Sequence, residues 1–285
     1  MLRRIHDLLG YTIAATDGDL GHVQDCYFDD DAWVVRYLVV KTGSWLSDRK
    51  VLVSPIALGA PSCELHSVPA QLTREQVRNS PSIDTDKPVS RQHELQFSGY
   101  YGYSHYWSGS GLWGAGFYPG AMLTGVGYGG TGTEYLARQV EREGLAREAD
   151  RSRNNDPHLR SCKAVTGYHI EAADGEIGHV QGMLLDDESW AIRYLLVNTS
   201  NWWLGHQVLV APEWIAGVSW LDRKVTIDLT RQAIEDSPPY DPALVPGRSQ
   251  EALVYRHYGR EGYWQHGVLP TMATHRSSAE TRAPR

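Results

Sequence analysis

The stretch DGDLGHVQDCYFDDDAWVVRYLVVKTGSW, which begins at Asp17, returns as DGEIGHVQGMLLDDESWAIRYLLVNTSNW from Asp174. The offset is 174 − 17 = 157, and it keeps two copies in register without a gap from Gly10/Gly167 to Pro81/Pro238. A register held over that length marks an internal duplication, so one copy must fold much as the other does. The offset carries further still. Arg91 answers Arg248, Glu94 answers Glu251, and Tyr101, Gly102, Tyr106 and Trp107 answer Tyr258, Gly259, Tyr263 and Trp264. The repeated unit is a domain together with its C-terminal extension.

Within each copy, short β-rich runs alternate with turn signals. Asp17-Gly18 and Asp174-Gly175 lie between apolar runs and predict hairpins of type I′, whose two central residues need positive φ. LGHVQDCYF and WVVRYLVVKT are joined by Asp29-Asp30-Asp31, and KVLVSP and CELHSV add further short strands. WVVRYLVV is apolar on both alternating faces, which predicts a strand covered on both sides or closed into a barrel. LTREQVRNSP and LTRQAIEDSP each predict a short helix, with Thr73 or Thr230 as N-cap and Ser-Pro as the stop. The expected fold class is mainly β: two small antiparallel β-barrels in tandem, each followed by a short helix. Between them the sequence predicts a flexible Gly/Tyr-rich linker and a marginal spacer helix, EYLARQVEREGLAREADRSR, with a thin apolar stripe. The expected division is residues 1–86 for the first barrel, 87–160 for tail, linker and spacer, 161–243 for the second barrel and 244–285 for the C-terminal tail.

The ordered features G-x-x-I, Asp-Gly, G-x-V, an acidic pair, RYLVV or RYLLV, VLV-P and a final LT-helix-SP resemble the PRC-barrel family. That family is similar to the cytoplasmic barrel of the photosynthetic reaction-centre H subunit and to the C-terminal domain of a bacterial ribosome-maturation factor. The tails SRQHE…YYGYSHYW and GRSQE…HYGREGYW look like the extension of stand-alone bacterial members. The resemblance implies a fold but carries no catalytic motif. It also leaves two alternative roles open, an H-subunit-like accessory of electron transfer at a membrane periphery and a ribosome-assembly factor. One departure is that Pro69 and Ala70 stand where the second copy has Thr226 and Ile227, which predicts a bent or degraded edge in the first barrel.

Composition narrows the function. A net charge of −7 over 285 residues gives no broad basic footprint, so no nucleic-acid partner is expected and membrane contact is not favoured. The charge-free segment from Phe97 to Thr133 is broken by glycines and Pro119 and does not read as a spanning helix. Three cysteines without a C-x-x-C, Cys26, Cys63 and Cys162, fit reduced thiols in a cytoplasmic protein.

His22 and His179 repeat in GHVQ without a second ligand that repeats beside them, so no metal is expected. Asp29-Asp30-Asp31 and Asp186-Asp187-Glu188 lack the spacing of a calcium loop and read as solvated turns. Gly125 to Gly130 satisfies G-x-G-x-x-G without a preceding strand, so no dinucleotide or other cofactor is expected. No catalytic constellation stands out, and the chain is expected not to be an enzyme. Arg36 with Tyr37, matched by Arg193 with Tyr194, places a cation inside an apolar strand. It either faces a partner or pairs within its own domain with Asp25 or Glu64. Trp45, Trp202 and Trp203 are aromatic anchors of an interface or barrel-rim packing, as are Trp33, Trp190 and Trp214. The candidate partner-binding residues are thus Arg36, Tyr37, Trp45, Arg193, Tyr194, Trp202 and Trp203. The function they imply is a non-catalytic module that binds or scaffolds a protein partner, the duplication giving either avidity to two linked weak sites or a pseudo-dimer of the two barrels within one chain, with the second copy expected to carry the stronger surface.

Overall fold

The computed structural model of the chain describes residues 1–82, 89, 91–109, 111–114, 116–122, 158–199 and 207–265. The first half contributes β1 (Leu2–Arg4), α1 (Ile5–Leu8), β2 (Thr12–Ala15), β3 (Gly18–Asp29), β4 (Val34–Thr42), β5 (Lys50–Val53), β6 (Ser67–Pro69), α2 (Arg74–Asn79) and α3 (Arg91–Tyr101). The second contributes β7 (Leu159–Ser161), α4 (Cys162–Val165), β8 (His169–Ala172), β9 (Gly175–Asp186), β10 (Ile192–Asn198), β11 (Gln207–Val210), β12 (Ile215–Ser219), β13 (Lys224–Ile227), α5 (Arg231–Glu235) and α6 (Arg248–His257). The protein is mainly β, with two sheets ordered β5-β4-β3-β2-β6 and β11-β10-β9-β8-β13-β12. The expected all-antiparallel pairing needs correction: β6 runs parallel to β2, and β13 parallel to β8. Each of these pairs joins strands separated by the rest of the sheet, which supplies the long crossover that parallel pairing requires.

Both predicted hairpins form, β2–β3 and β8–β9, but not through a type I′ turn. Gly18 and Gly175 alone take positive φ, while Asp17 and Asp174 do not. The aspartates are occupied elsewhere: Asp17 Oδ1 accepts the backbone N–H of Arg74 at 2.8 Å, and Asp174 Oδ1 that of Arg231 at 2.7 Å. Each hairpin turn therefore holds the first residue of the helix that closes its copy. Thr73 caps α2 in a full capping box with Gln76, and the Thr230 hydroxyl accepts from Ala233 N–H at 3.2 Å. The glycine of GHVQ has its own steric reason. Gly21 and Gly178 have φ of 142° and 150°, and a Cβ at either would collide with the carbonyl of Lys41 or Asn198 on the next strand.

At the offset of β12, the first half has only isolated bridges, Leu58 with Ala70 and Ser62 with Ser67. Pro69, which has no N–H to donate, sits in the neighbouring β6.

The two halves exchange their first strands. β1 pairs with β9 (Leu2 with Asp186, Arg3 with Leu185, Arg4 with Leu184), and β7 pairs with β3 (Leu159 with Asp29, Arg160 with Phe28, Ser161 with Tyr27). Every pair in one set becomes a pair of the other by the offset of 157, so the contact is isologous although it lies within one chain. It continues at the centre, where Val34 bridges Ala191. The N–H of Val35 donates to Trp190 O at 2.8 Å, and that of Ile192 to Trp33 O at 2.7 Å. Trp33 and Trp190 are buried here with φ of 54° and 58°, a conformation that L residues keep only where the surroundings impose it. The ladders thus run across the boundaries expected at 1–86 and 161–243.

Strand β4 is covered on both faces, as its composition predicts. Leu38 and Val40 enter the main core, while Tyr37, Val39 and Leu52 form a second cluster under Phe97 of α3. Residues 87–160, expected as tail, linker and spacer, supply the cover of that second cluster from their described part. Arg91–Tyr101 is helical, and Phe97 is buried because it covers this otherwise exposed apolar face, while Tyr106, Leu112, Trp113 and Met122 are buried in the main core. The predicted spacer helix, the glycine run Gly125 to Gly130 and the end of the C-terminal tail lie outside the described residues. Among the described residues no helix is long and apolar enough to cross a membrane.

Candidate functional site

The most connected polar group of each half is a glutamate on the helix that follows its sheet. Glu94, on α3, is fully buried. Its Oε1 accepts from Tyr106 Oη at 2.8 Å and from Tyr37 Oη at 3.2 Å. Its Oε2 lies 2.6 Å from His158 Nε2 and 3.0 Å from an Arg91 guanidinium nitrogen. Glu251, on α6, repeats most of this: Tyr194 at 3.1 Å, Tyr263 at 2.8 Å and Arg248 at 3.2 Å. The one member without a counterpart is His158, since 158 − 157 = 1 is Met1. Burial alone would raise the Glu94 carboxyl, but the charge and hydrogen bond of His158, then Arg91 and Tyr106, hold it below its ordinary value. Burial, then the charge of Glu94, pushes the hydroxyls of Tyr37 and Tyr106 well up. The group is a docking device: it satisfies a buried charge while fastening the helix to the strand, with every acceptor already engaged.

The candidate partner-binding residues divide sharply. Arg36 is 2% exposed. It pairs with Asp29 at 2.9 Å, donates to Leu112 O at 2.5 Å, and lies over the rings of Tyr106 at 3.9 Å and Trp113 at 4.8 Å. Its carboxylate is Asp29, not Asp25 or Glu64, and it faces the protein's own extension rather than a partner. Tyr37 and Tyr194 are likewise buried on Glu94 and Glu251. Arg193 is half-buried, 3.3 Å from Ser189 Oγ, 3.6 Å from Asp186 and over the Tyr263 ring at 4.1 Å. The reason is common to all of them: the extension returns and packs over β4 or β10, so a cation in mid-strand meets aromatic rings of its own chain. Trp202 and Trp203 lie outside the described residues.

Trp45 stays half-exposed at the bend between β4 and β5, with its indole N–H donating to Leu20 O at 2.9 Å. Arg74 and Arg78 of α2 lie 5.4 and 6.0 Å from its ring. On the same hairpin Lys41 faces Lys50 directly across the ladder, both exposed. Arg49 adds a third cation, its guanidinium donating to Val77 O at 3.4 Å, and Lys41, Lys50 and Arg78 make no ion pair among the described residues. Like charges directly opposite weaken a sheet. At the matching positions of the second half Asn198 faces Gln207, residues 198–207 contain no Lys or Arg, and Arg78 is answered by Glu235.

The acidic turn needs a second correction. Asp29 and Asp30 are buried, not solvated, and only Asp31 is exposed. Asp30 accepts from Arg160 Nε at 2.8 Å, and at the offset Asp187 accepts from Arg3 at 3.3 Å, so the turns tie in the exchanged strands. Guanidinium groups already answer these carboxylates. His22 is exposed beside the Thr12 hydroxyl at 3.3 Å. An open cleft near β8 and β13 is lined by His169, Glu171, Glu176, Asp222 and Lys224, and is largely self-paired (His169–Glu176 2.9 Å, Lys224–Glu171 2.8 Å).

The two glutamate groups were visible in the sequence as an echo of the repeat, without a sign of their role. His158 gave no signal, and Lys41 and Lys50 needed the strand register to become neighbours. The PRC-barrel domain family matches residues 2–60, which span β1 to the end of the turn after β5. No curated protein matches the chain.

Proposed function

We propose that this chain, which carries a PRC-barrel domain over residues 2–60, is a cytoplasmic protein-binding scaffold with no chemistry of its own. Its halves stand to each other as the two members of a dimer held in one chain. Its docking face is the β4–β5 hairpin around Trp45, and the partner is a protein presenting an acidic segment. The observation that carries this reading is the direct opposition of Lys41 and Lys50 beside an accessible tryptophan, in a chain of net charge −7. The opposition costs sheet stability, is absent from the duplicate, and is relieved when carboxylates dock over it. The burial of Glu94, Glu251 and Arg36 among their own partners supports the same reading, because it leaves the strongest titratable groups with no side open to a substrate.

The test is affinity capture from native lysate with the full chain, followed by titration of the captured partner at low and high salt. Lys41→Glu with Lys50→Glu should abolish capture, Trp45→Ala should weaken it, and Asn198→Glu with Gln207→Glu should leave it unchanged. Binding that ignores the lysine reversal, or that survives high salt undiminished, contradicts the assignment.

A further inference from the structure

Two of the three cysteines meet at one of the two strand exchanges. The β3–β7 ladder ends where Tyr27 faces Ser161, and Cys26 and Cys162, the first residue of α4, are the next residues along each segment. The Tyr27–Ser161 pair that flanks them has Cα atoms about 4.5–5.5 Å apart, which brings the two cysteines near the roughly 4.4–6.8 Å that a disulfide spans. Asp25, next to Cys26, pins the residues on either side of Cys162: Ser161 Oγ donates to Asp25 Oδ2 at 2.5 Å and Lys163 N–H to Asp25 Oδ1 at 3.2 Å. Both cysteines are free and buried in the shared core, and their thiols interact directly. The other exchange has no such pair. The offset takes Cys26 to Met183 (26 + 157) and Cys162 to Ile5 (162 − 157).

We propose that Cys26 and Cys162 are a redox pair, oxidised by a peroxide to a disulfide that staples the two halves at the β3–β7 exchange. β7 is three residues long, and its local opening exposes a thiol. That thiolate attacks a peroxide oxygen, forming a sulfenic acid and releasing water. The second sulfur then attacks the first, the S–S bond forms, and the sulfenic oxygen leaves as water with the second thiol's proton. Two thiols and one hydrogen peroxide give one disulfide and two waters, and the two electrons lost by sulfur are gained by the peroxide. Burial, reinforced by Cys26, pushes the Cys162 thiol well up, so the closed pair reacts slowly. The exposed Cys63, whose sulfur accepts from Arg3 at 2.9 Å, reacts first but has no cysteine opposite it.

The experiment uses the full chain with Cys63→Ser, exposed to hydrogen peroxide under native conditions, alkylated, digested and mapped by mass spectrometry, beside the unaltered chain. The expected result is a Cys26–Cys162 linked peptide, reversed by dithiothreitol. The oxidised protein should melt higher by on the order of 5–10 °C, because the bond closes a long loop in the unfolded chain. The proposal is overturned if both cysteines remain alkylatable on denaturation after the same treatment has consumed Cys63 in the unaltered chain. It is equally overturned if the linkage forms only between chains, or forms without raising the melting temperature.

Discussion

A carboxylate as deeply buried as Glu94 survives in a fold only if its surroundings supply what water did, and here two tyrosines, Arg91 and His158 do so. Glu94→Gln leaves the cations without their counter-charge and should cost about 3–5 kcal/mol in urea denaturation. Glu251→Gln should cost less, about 1–2 kcal/mol, because it lacks the histidine and its Arg248 is 55% exposed. Glu94 and Asp29 are held below their ordinary values of 4.5 and 3.8. The stability they contribute is complete above those values and drains as pH falls through the lower folded ones, so acid unfolding should begin below that range and Glu94→Gln should flatten it. Tyrosines act in the opposite sense. Burial pushes Tyr101, Tyr258 and Tyr263 from 10.0 up to about 12, so stability is lost as pH rises between those limits. Phenolate absorbance should show these rings ionising late and together with unfolding; simple titration at the ordinary value would contradict their burial.

At the scale of elements, the strands and closing helices were legible because their signals are local. A β-rich run after Asp17-Gly18 marked β3, a two-faced apolar run marked β4, and Thr73 opening an LT-helix-SP segment marked α2. Thr73→Ala should accordingly cost about 1 kcal/mol. Helix α3 was not legible as a covering element. The tyrosines and glycines around it read as linker composition, and only the apolar outer face of β4 creates a demand for Phe97. Phe97→Ala should cost about 3–5 kcal/mol by uncovering Tyr37, Val39 and Leu52, read as a lowered midpoint in denaturant. Arg36 was misplaced for the same reason: its cradle of Tyr106, Trp113 and Leu112 O comes from a segment far along the chain. Its true carboxylate, Asp29, stood in a turn that looked solvated. Nor could three residues such as Leu2–Arg4 reveal which sheet they would join, because a strand that short carries periodicity but no address.

At the scale of the molecule, the exchange of β1 and β7 makes each sheet depend on a strand from the other half. Trp33, Trp190, Val34 and Ala191 close the junction between them. Neither half then holds a complete sheet by itself. The sequence repeat at the offset of 157 matches the symmetry of that exchange, and the halves differ in carrying Lys41 and Lys50 in one and Asn198 and Gln207 in the other. The most direct measurement is thermal unfolding of residues 1–157 and 158–285, made separately and then mixed in equal amounts, beside the full chain. The exchange predicts one cooperative transition for the full chain, weak or absent transitions for each half alone, and recovery of a cooperative transition on mixing. Two halves that each melt alone at the full-chain temperature, and do not associate, would contradict it.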